Sequence, residues 1–412
     1  MSGLKYWIWL AEKQGLGPLH AHQLLEIFSS PERIYFAREE EYALISGLTP
    51  RIKEELKYKD MGRVHTILGE CARLGVRILT WQDADYPERL RQLPDAPLVL
   101  YIKGKLPVFD EEVAIGMVGA REPTAYGSQM ASVLGYELAR GGAVVVSGIA
   151  RGLDSAALEG AMKAGGTVVS VLGGGVDVYY PKENRWLYED VAASGALISE
   201  YPPGTENNGF HFPVRNRIIS GLCLGVVAVE CRRKSGTMIT MNLALDQDRD
   251  VFAVPGAVTS PLSQGTNLLI QQGAKLVTCG EDILIEYRER YPIQLSGQFE
   301  RGEIQRERLD SVDRRHIGTT NRKQKQETVR PEAVESDGRE LVSRLQERER
   351  FTDDALAVLR ALGGGMRSAD ELVELTQIPV RRVTTALTML QVDGAIEEKA
   401  GRRFASRIRL EE

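Results

Sequence analysis

Cationic side chains recur at one kind of place in this chain: just past a short apolar run, beside glycine. Gly119-Ala120-Arg121, Ser147-Gly148-Ile149-Ala150-Arg151-Gly152-Leu153-Asp154 and Lys234-Ser235-Gly236-Thr237 all stand there, and Gly173-Gly174-Gly175-Val176-Asp177 repeats the pattern without the cation. Glycine lets backbone N–H groups approach an anion closely, and a helix start adds positive partial charge. One such turn is adequately explained as a tight connection. Four of them, carrying Arg121, Arg151 and Lys234, point to a phosphate-bearing ligand. The usual nucleotide fingerprints are missing. The first run reads Gly116-Met117-Val118-Gly119-Ala120-Arg121, not G-x-G-x-x-G. Neither a G-x-x-x-x-G-K-S/T loop nor a G-x-S-x-G elbow occurs. No acid/base pair and no metal-ligand spacing stands out. The expectation is therefore a binding protein without cofactor or metal, rather than an enzyme.

A second cluster is Phe210-His211-Phe212-Pro213-Val214-Arg215-Asn216-Arg217. Aromatic faces beside guanidinium groups are what an unpaired polynucleotide needs: stacking surfaces and phosphate partners. The competing explanations are that Phe210 and Phe212 cap the core, and that Arg215 and Arg217 pair with carboxylates.

The elements that must hold these residues follow from periodicity. Apolar runs at 113–118, 143–146, 167–172, 196–199, 225–230, 251–254 and 275–277 alternate with amphipathic stretches at 126–140, 154–164, 184–193 and 237–246. Continuous apolar strands separated by helices indicate a parallel sheet covered on both faces. In such a sheet the turns at the carboxyl ends of the strands form one crevice. The fold class is thus α/β, with a doubly wound parallel sheet from about 98 to 290.

Residues 1–85 read as short helices. Gly15-Leu16-Gly17-Pro18 resembles a helix-hairpin-helix turn, and Ser46-Gly47-Leu48-Thr49-Pro50 a degenerate second copy. Residues 293–350, rich in Arg, Glu and Gln, read as a charged linker. Over 351–412, helices at 354–362, 369–376 and 380–392 with a ribbon at 395–399 and 403–408 make a winged helix-turn-helix. Arg381 and Arg382 would open its recognition helix, and Lys399, Arg402, Arg403, Arg407 and Arg409 would load the wing. Binding of duplex DNA and docking of a protein fit that module equally.

Composition narrows the class. The 412 residues carry 52 Lys+Arg against 57 Asp+Glu, a net charge of −5, which excludes a chain-wide basic coat and confines any nucleic-acid site to a local patch. Cys71, Cys223, Cys231 and Cys279 form no C-x-x-C pair, so reduced thiols and a cytoplasmic setting are expected. No apolar run reaches the ~18 residues of a membrane helix.

With these residues in view, the chain resembles the DNA-processing protein A (DprA/Smf) family. The matching stretches are Met117-Val118-Gly119-Ala120-Arg121, Val146-Ser147-Gly148 onward to Ala156, Leu172 to Val176 with Tyr180-Pro181, Ser199-Glu200-Tyr201-Pro202-Pro203-Gly204, Phe212 to Gly221, Glu230 to Thr240, and Val251 to Gly256. The family pattern often carries Ser or Thr where this chain has Ala120. The resemblance implies an extended Rossmann-like core over 90–290 that binds single-stranded DNA, dimerises, and loads the RecA recombinase onto incoming strands during natural transformation, without turnover. It implies DNA contacts at Arg121, Ser147, Gly148, Arg215, Asn216, Arg217, Lys234, Ser235, Gly236 and Thr237; Arg151 and Phe212 join them from the turn and aromatic patterns above. Two other readings stay open. One is a nucleotide-hydrolysing enzyme using Glu200 or Glu230 as acid/base group. The other is a winged-helix regulator sensing a phosphorylated ligand.

Overall fold

The structure, a computed structural model, describes residues 3–295, 340–342 and 351–410, the last apart from 364, 377, 393, 394 and 400–402. Most of the charged segment expected over 293–350 lies outside the described residues. By contacts the chain forms two compact units, Met1–His316 and Ile317–Glu412.

The first unit is built on a nine-stranded sheet. Its strands are β1 (Arg77–Thr80), β2 (Val99–Gly104), β3 (Ala114–Val118), β4 (Val144–Ser147), β5 (Val168–Leu172), β6 (Gly195–Ser199), β7 (Gly225–Ala228), β8 (Asp250–Ala253) and β9 (Lys275–Leu276). The order is β1-β2-β6-β5-β4-β3-β7-β8-β9, parallel from β6 through β9. All seven strands expected from the apolar runs are present. Two more, β1 and β2, extend the sheet antiparallel beyond β6. The first falls at the end of the stretch that reads as short helices, the second just past Pro94 and Pro97.

Every residue of β3, β4, β5, β6 and β7 is buried. Their side chains alternate between two apolar layers. Ile115, Met117 and Val145 join one layer, while Ala114, Val118, Val144 and Val146 join the other. The helices Ala125–Arg140 and Leu153–Lys163 cover the first face; His211–Leu222 and Gly236–Asp246 cover the second. Close helix approach depends on glycine here. A Cβ on Gly135 would fall 2.2 Å from the carbonyl oxygen of Ala157.

The N-terminal helices are continuous with this core: Trp9 and Leu24 share an apolar cluster with Tyr101 and Ile115. The two hairpin-like turns are built alike. Gly15 and Gly47 have φ of +76° and +90°, Leu16 and Leu48 are both buried, and a proline opens the helix that follows each turn.

In the second unit, helices Asp353–Leu362, Ala369–Thr376 and Val380–Val392 pack around Leu356, Leu372, Val383 and Leu387, with strands Ile396–Lys399 and Arg403–Ser406 forming the ribbon. The short strand Arg367–Ser368 adds to it, while Glu340–Val342 and Ile408–Leu410 form a separate parallel pair.

Candidate nucleic-acid interface

Strand order reverses direction at β3. From β3 the chain proceeds through β4, β5 and β6 to one side, and β7, β8 and β9 lie on the other. The turns after β3 and β7 therefore diverge, leaving a gap at the carboxyl edge. An open crevice of about 510 Å³ fills that gap, bounded by Gly119-Ala120-Arg121, by Ser235-Gly236-Thr237, and by Phe212 and Arg215 from the helix between β6 and β7.

One wall is a helix start. Ser235 caps helix Gly236–Asp246: its Oγ accepts from the Met238 amide at 3.4 Å and donates to the Arg232 carbonyl at 3.0 Å. The amides of Gly236 and Thr237 have no backbone acceptor among the described residues. They are two of the orphan donors that any helix start leaves, and they suit an anion. No atom lies within 4 Å of where a Gly236 Cβ would stand. The glycine is thus not required by the protein's own packing, and it leaves room for a ligand against the backbone.

The floor is the loop after β4. Ile149 holds φ of +55° and Gly152 +81°. Such a conformation is costly for a β-branched residue. Ile149 is 1% exposed, and Asn184 Nδ2 donates to its carbonyl at 3.0 Å. The Gly148 amide donates to Asp154 Oδ2 at 3.2 Å, and Arg215 Nη1 donates to the Gly148 carbonyl at 2.9 Å and also to that of Val171. A Cβ on Gly148 would meet the guanidinium at 2.4 Å. Burial pushes the Asp154 carboxyl above its ordinary range, against the pull of the Arg215 charge. Burial likewise lowers Arg215, which Asp154 opposes. Arg215 therefore braces the floor from beneath. Its Nε donates to Asn216 Oδ1 at 3.2 Å, which leaves the Asn216 amide nitrogen as the donor end beside the crevice.

The rim carries free charge and rings. Arg121 is exposed, its Cζ 5.3 Å from the centroid of Phe212. Phe212 in turn lies 5.4 Å from Tyr180 at 35°. Lys234 is exposed, and neither it nor Arg121 forms an ion pair among the described residues. Arg151 is exposed too but bonds Glu183 at 2.8 Å. Phe210 is 84% exposed, so it does not cap the core.

Two expected contacts are placed elsewhere. Arg217 lies 5% exposed, its Nη2 donating to both Glu200 oxygens at 2.7 Å and its Nε 3.3 Å from Asp95. The carboxylate pairing weighed for it is what the fold contains. Ser147 is fully buried, and its hydroxyl donates to the Met117 carbonyl at 2.6 Å. Both are structural neighbours of the crevice rather than parts of its surface. Glu200 and Glu230, the acid/base groups of the hydrolytic alternative, are also withdrawn. Glu200 is taken by Arg217, and the 2% exposed Glu230 accepts from the Thr124 amide and hydroxyl. Sequence reasoning passed over Tyr180 as a site residue, although Tyr180-Pro181 stood among the family-like stretches.

On the winged helix, four of the cations expected to meet a ligand are paired with carboxylates. Arg382 bonds Asp354, Arg403 bonds Glu371, and Arg407 and Lys399 share Glu397. Arg402 lies outside the described residues, as do the side chains of Arg381 and Arg409.

Residues 77–288 match the family model of DNA recombination-mediator protein A, and 339–402 that of the DprA winged helix domain. The chain belongs to the DprA/Smf family. DNA processing protein DprA of Bacillus subtilis is 42% identical over 224 residues, 54% of this chain and 75% of the relative. Protein Smf of Synechocystis is 29% identical over 409 residues, 98% of each. Among solved structures, DprA from Streptococcus pneumoniae matches with a TM-score of 0.61 at 34% identity, covering 68% of this chain and 97% of that one. The family core thus begins with β1, at the antiparallel edge the sequence did not show. No helix among the described residues is long and apolar enough to cross a membrane.

Proposed function

We propose that this DprA/Smf member binds single-stranded DNA across the crevice and passes it to the RecA recombinase during natural transformation, acting as a dimeric mediator in the cytoplasm without turnover. The observation that carries this reading is the combination at one switch point of two bare helix-start amides, unpaired Arg121 and Lys234, and the Phe212 ring. Phosphates seat at Gly236, Thr237 and Lys234, with Arg121 adding a charge-assisted contact. A base stacks on Phe212. Gly148 and Arg215 set the floor, and Asn216 offers a donor. Neither carboxylate considered for hydrolysis lines the crevice. The pairing of winged-helix cations with carboxylates favours protein docking over duplex binding for that module.

The test is a titration of fluorescent single- and double-stranded oligonucleotides at several salt concentrations. Affinity for the single strand should fall with salt at a log–log slope of ~0.7 per neutralised phosphate. The Arg121→Ala/Lys234→Ala chain should bind every sequence more weakly and with a shallower slope. Unchanged affinity in that double variant would show that the strand lies elsewhere. Recombinase filament assembly and sedimentation of the free protein test the partner and the dimer.

A further inference from the structure

We propose that the strand does not end in the crevice at the switch point but crosses the Tyr180 ring into a second one, where a phosphate takes Arg151 from Glu183. This rests on the reading of the first crevice. The second, about 530 Å³, sets the cations Arg151 and Lys182 beside the carboxylates Glu122 and Glu183, and it shares Arg121, Ala150, Tyr180 and Phe212 with the first. The shared residues form a ridge: guanidinium, phenyl and phenol rings in sequence, 5.3 and 5.4 Å apart.

Tyr180 sits on that ridge in an unusual way. Its side chain is 45% exposed, and its hydroxyl makes no hydrogen bond among the described residues. Its main chain is nonetheless fixed, because the Tyr188 hydroxyl accepts from the Tyr180 amide at 3.1 Å and donates to the Tyr180 carbonyl at 2.9 Å. The protein thus holds in place an aromatic ring that touches Phe212 yet stays nearly half open to solvent. A preorganised face of this kind suits a base whose identity is indifferent. Beyond the ridge, Arg151 and Glu183 are bonded at 2.8 Å with side chains 61% and 65% exposed. An exposed pair holds weakly. A phosphodiester has the sign of Glu183 and replaces it at Arg151, with Lys182 beside it. A small phosphorylated molecule would fill one crevice; a polymer is what links two across a stacking ridge.

The experiment uses the full chain and labelled oligothymidylates of about 4 and about 12 nucleotides at one salt concentration. Tyr180→Ala should lose roughly tenfold in affinity for the longer oligonucleotide and no more than about twofold for the shorter, which meets only the edge of the ring. Tyr180→Phe should match the parent at both lengths. Tyr180→Leu answers in place of alanine if that chain does not fold. Glu183→Gln should tighten the longer oligonucleotide about two- to threefold and leave the shorter unchanged. A parent that binds both lengths while Tyr180→Ala loses equally at both, or at neither, overturns the second crevice and leaves the first standing. A parent that binds neither length overturns both. No effect of Glu183→Gln overturns the exchange at Arg151.

Discussion

Arg217 and Arg121 should respond in opposite ways to alanine, and the contrast tests the whole assignment of the site. Arg217 is 5% exposed and bonds both oxygens of Glu200, whose side chain is itself 17% exposed. Removing one partner of such a pair leaves an uncompensated charge, at a cost of about 3–5 kcal/mol. In a unit of this size that corresponds to a fall in melting temperature of about 5–8 °C. Arg121 is exposed and forms no ion pair among the described residues, so Arg121→Ala should change stability by less than about 0.5 kcal/mol. Its effect should fall on binding: about 1.5–3 kcal/mol for a lost charge-assisted hydrogen bond, or roughly 10- to 150-fold in Kd. The assays are thermal melting by circular dichroism and oligonucleotide titration of the folded fraction. Glu200 adds a pH dependence. Burial already raises its carboxyl above the ordinary range, against the pull of Arg217. Without Arg217 its folded value rises further, so the folded state takes up its proton at higher pH than the unfolded chain does. The deficit of Arg217→Ala is therefore largest above that raised value and shrinks as pH falls through it. An Arg217→Ala chain that melts like the parent but loses DNA, or an Arg121→Ala chain that loses stability but not DNA, refutes the reasoning.

Further outcomes follow from the same geometry. Ser147→Ala should cost about 1 kcal/mol of stability, for the lost bond to Met117, and leave binding unchanged in titration. Gly148→Ala places a Cβ 2.4 Å from Arg215, so melting should report about 1–3 kcal/mol of overpacking, together with weaker binding as the floor shifts. Phe212→Leu should reduce oligonucleotide affinity by about 1–3 kcal/mol whatever the base sequence, which homopolymer titrations will show. Arg382→Ala and Arg403→Ala, whose charges are spent on Asp354 and Glu371, should leave single-strand affinity within about twofold of the parent.

Sequence alone determined the parts of this protein governed by local rules. Seven strands were readable from their apolar runs, most clearly β3 to β7, which are buried on both faces and apolar apart from Ser147, Ser170 and Ser199. The helix starts were readable from their cap residues and glycines, as at Ser235-Gly236, and the crevice from the glycine turns that follow strand after strand. The strand β1 escaped because its four residues lie within a stretch that reads as helical, and β2 because it follows Pro94 and Pro97 and finds β6 about a hundred residues away. Only the tertiary structure decided which cations meet solvent. Arg215 and Arg217, two apart in one helix, stand about 200° apart around its axis and so belong to different environments. One braces Gly148 and the other is enclosed with Glu200 and Asp95. Residue type and spacing mark a guanidinium as able to hold a phosphate. Whether a carboxylate from a distant strand reaches it first depends on how the chain closes on itself.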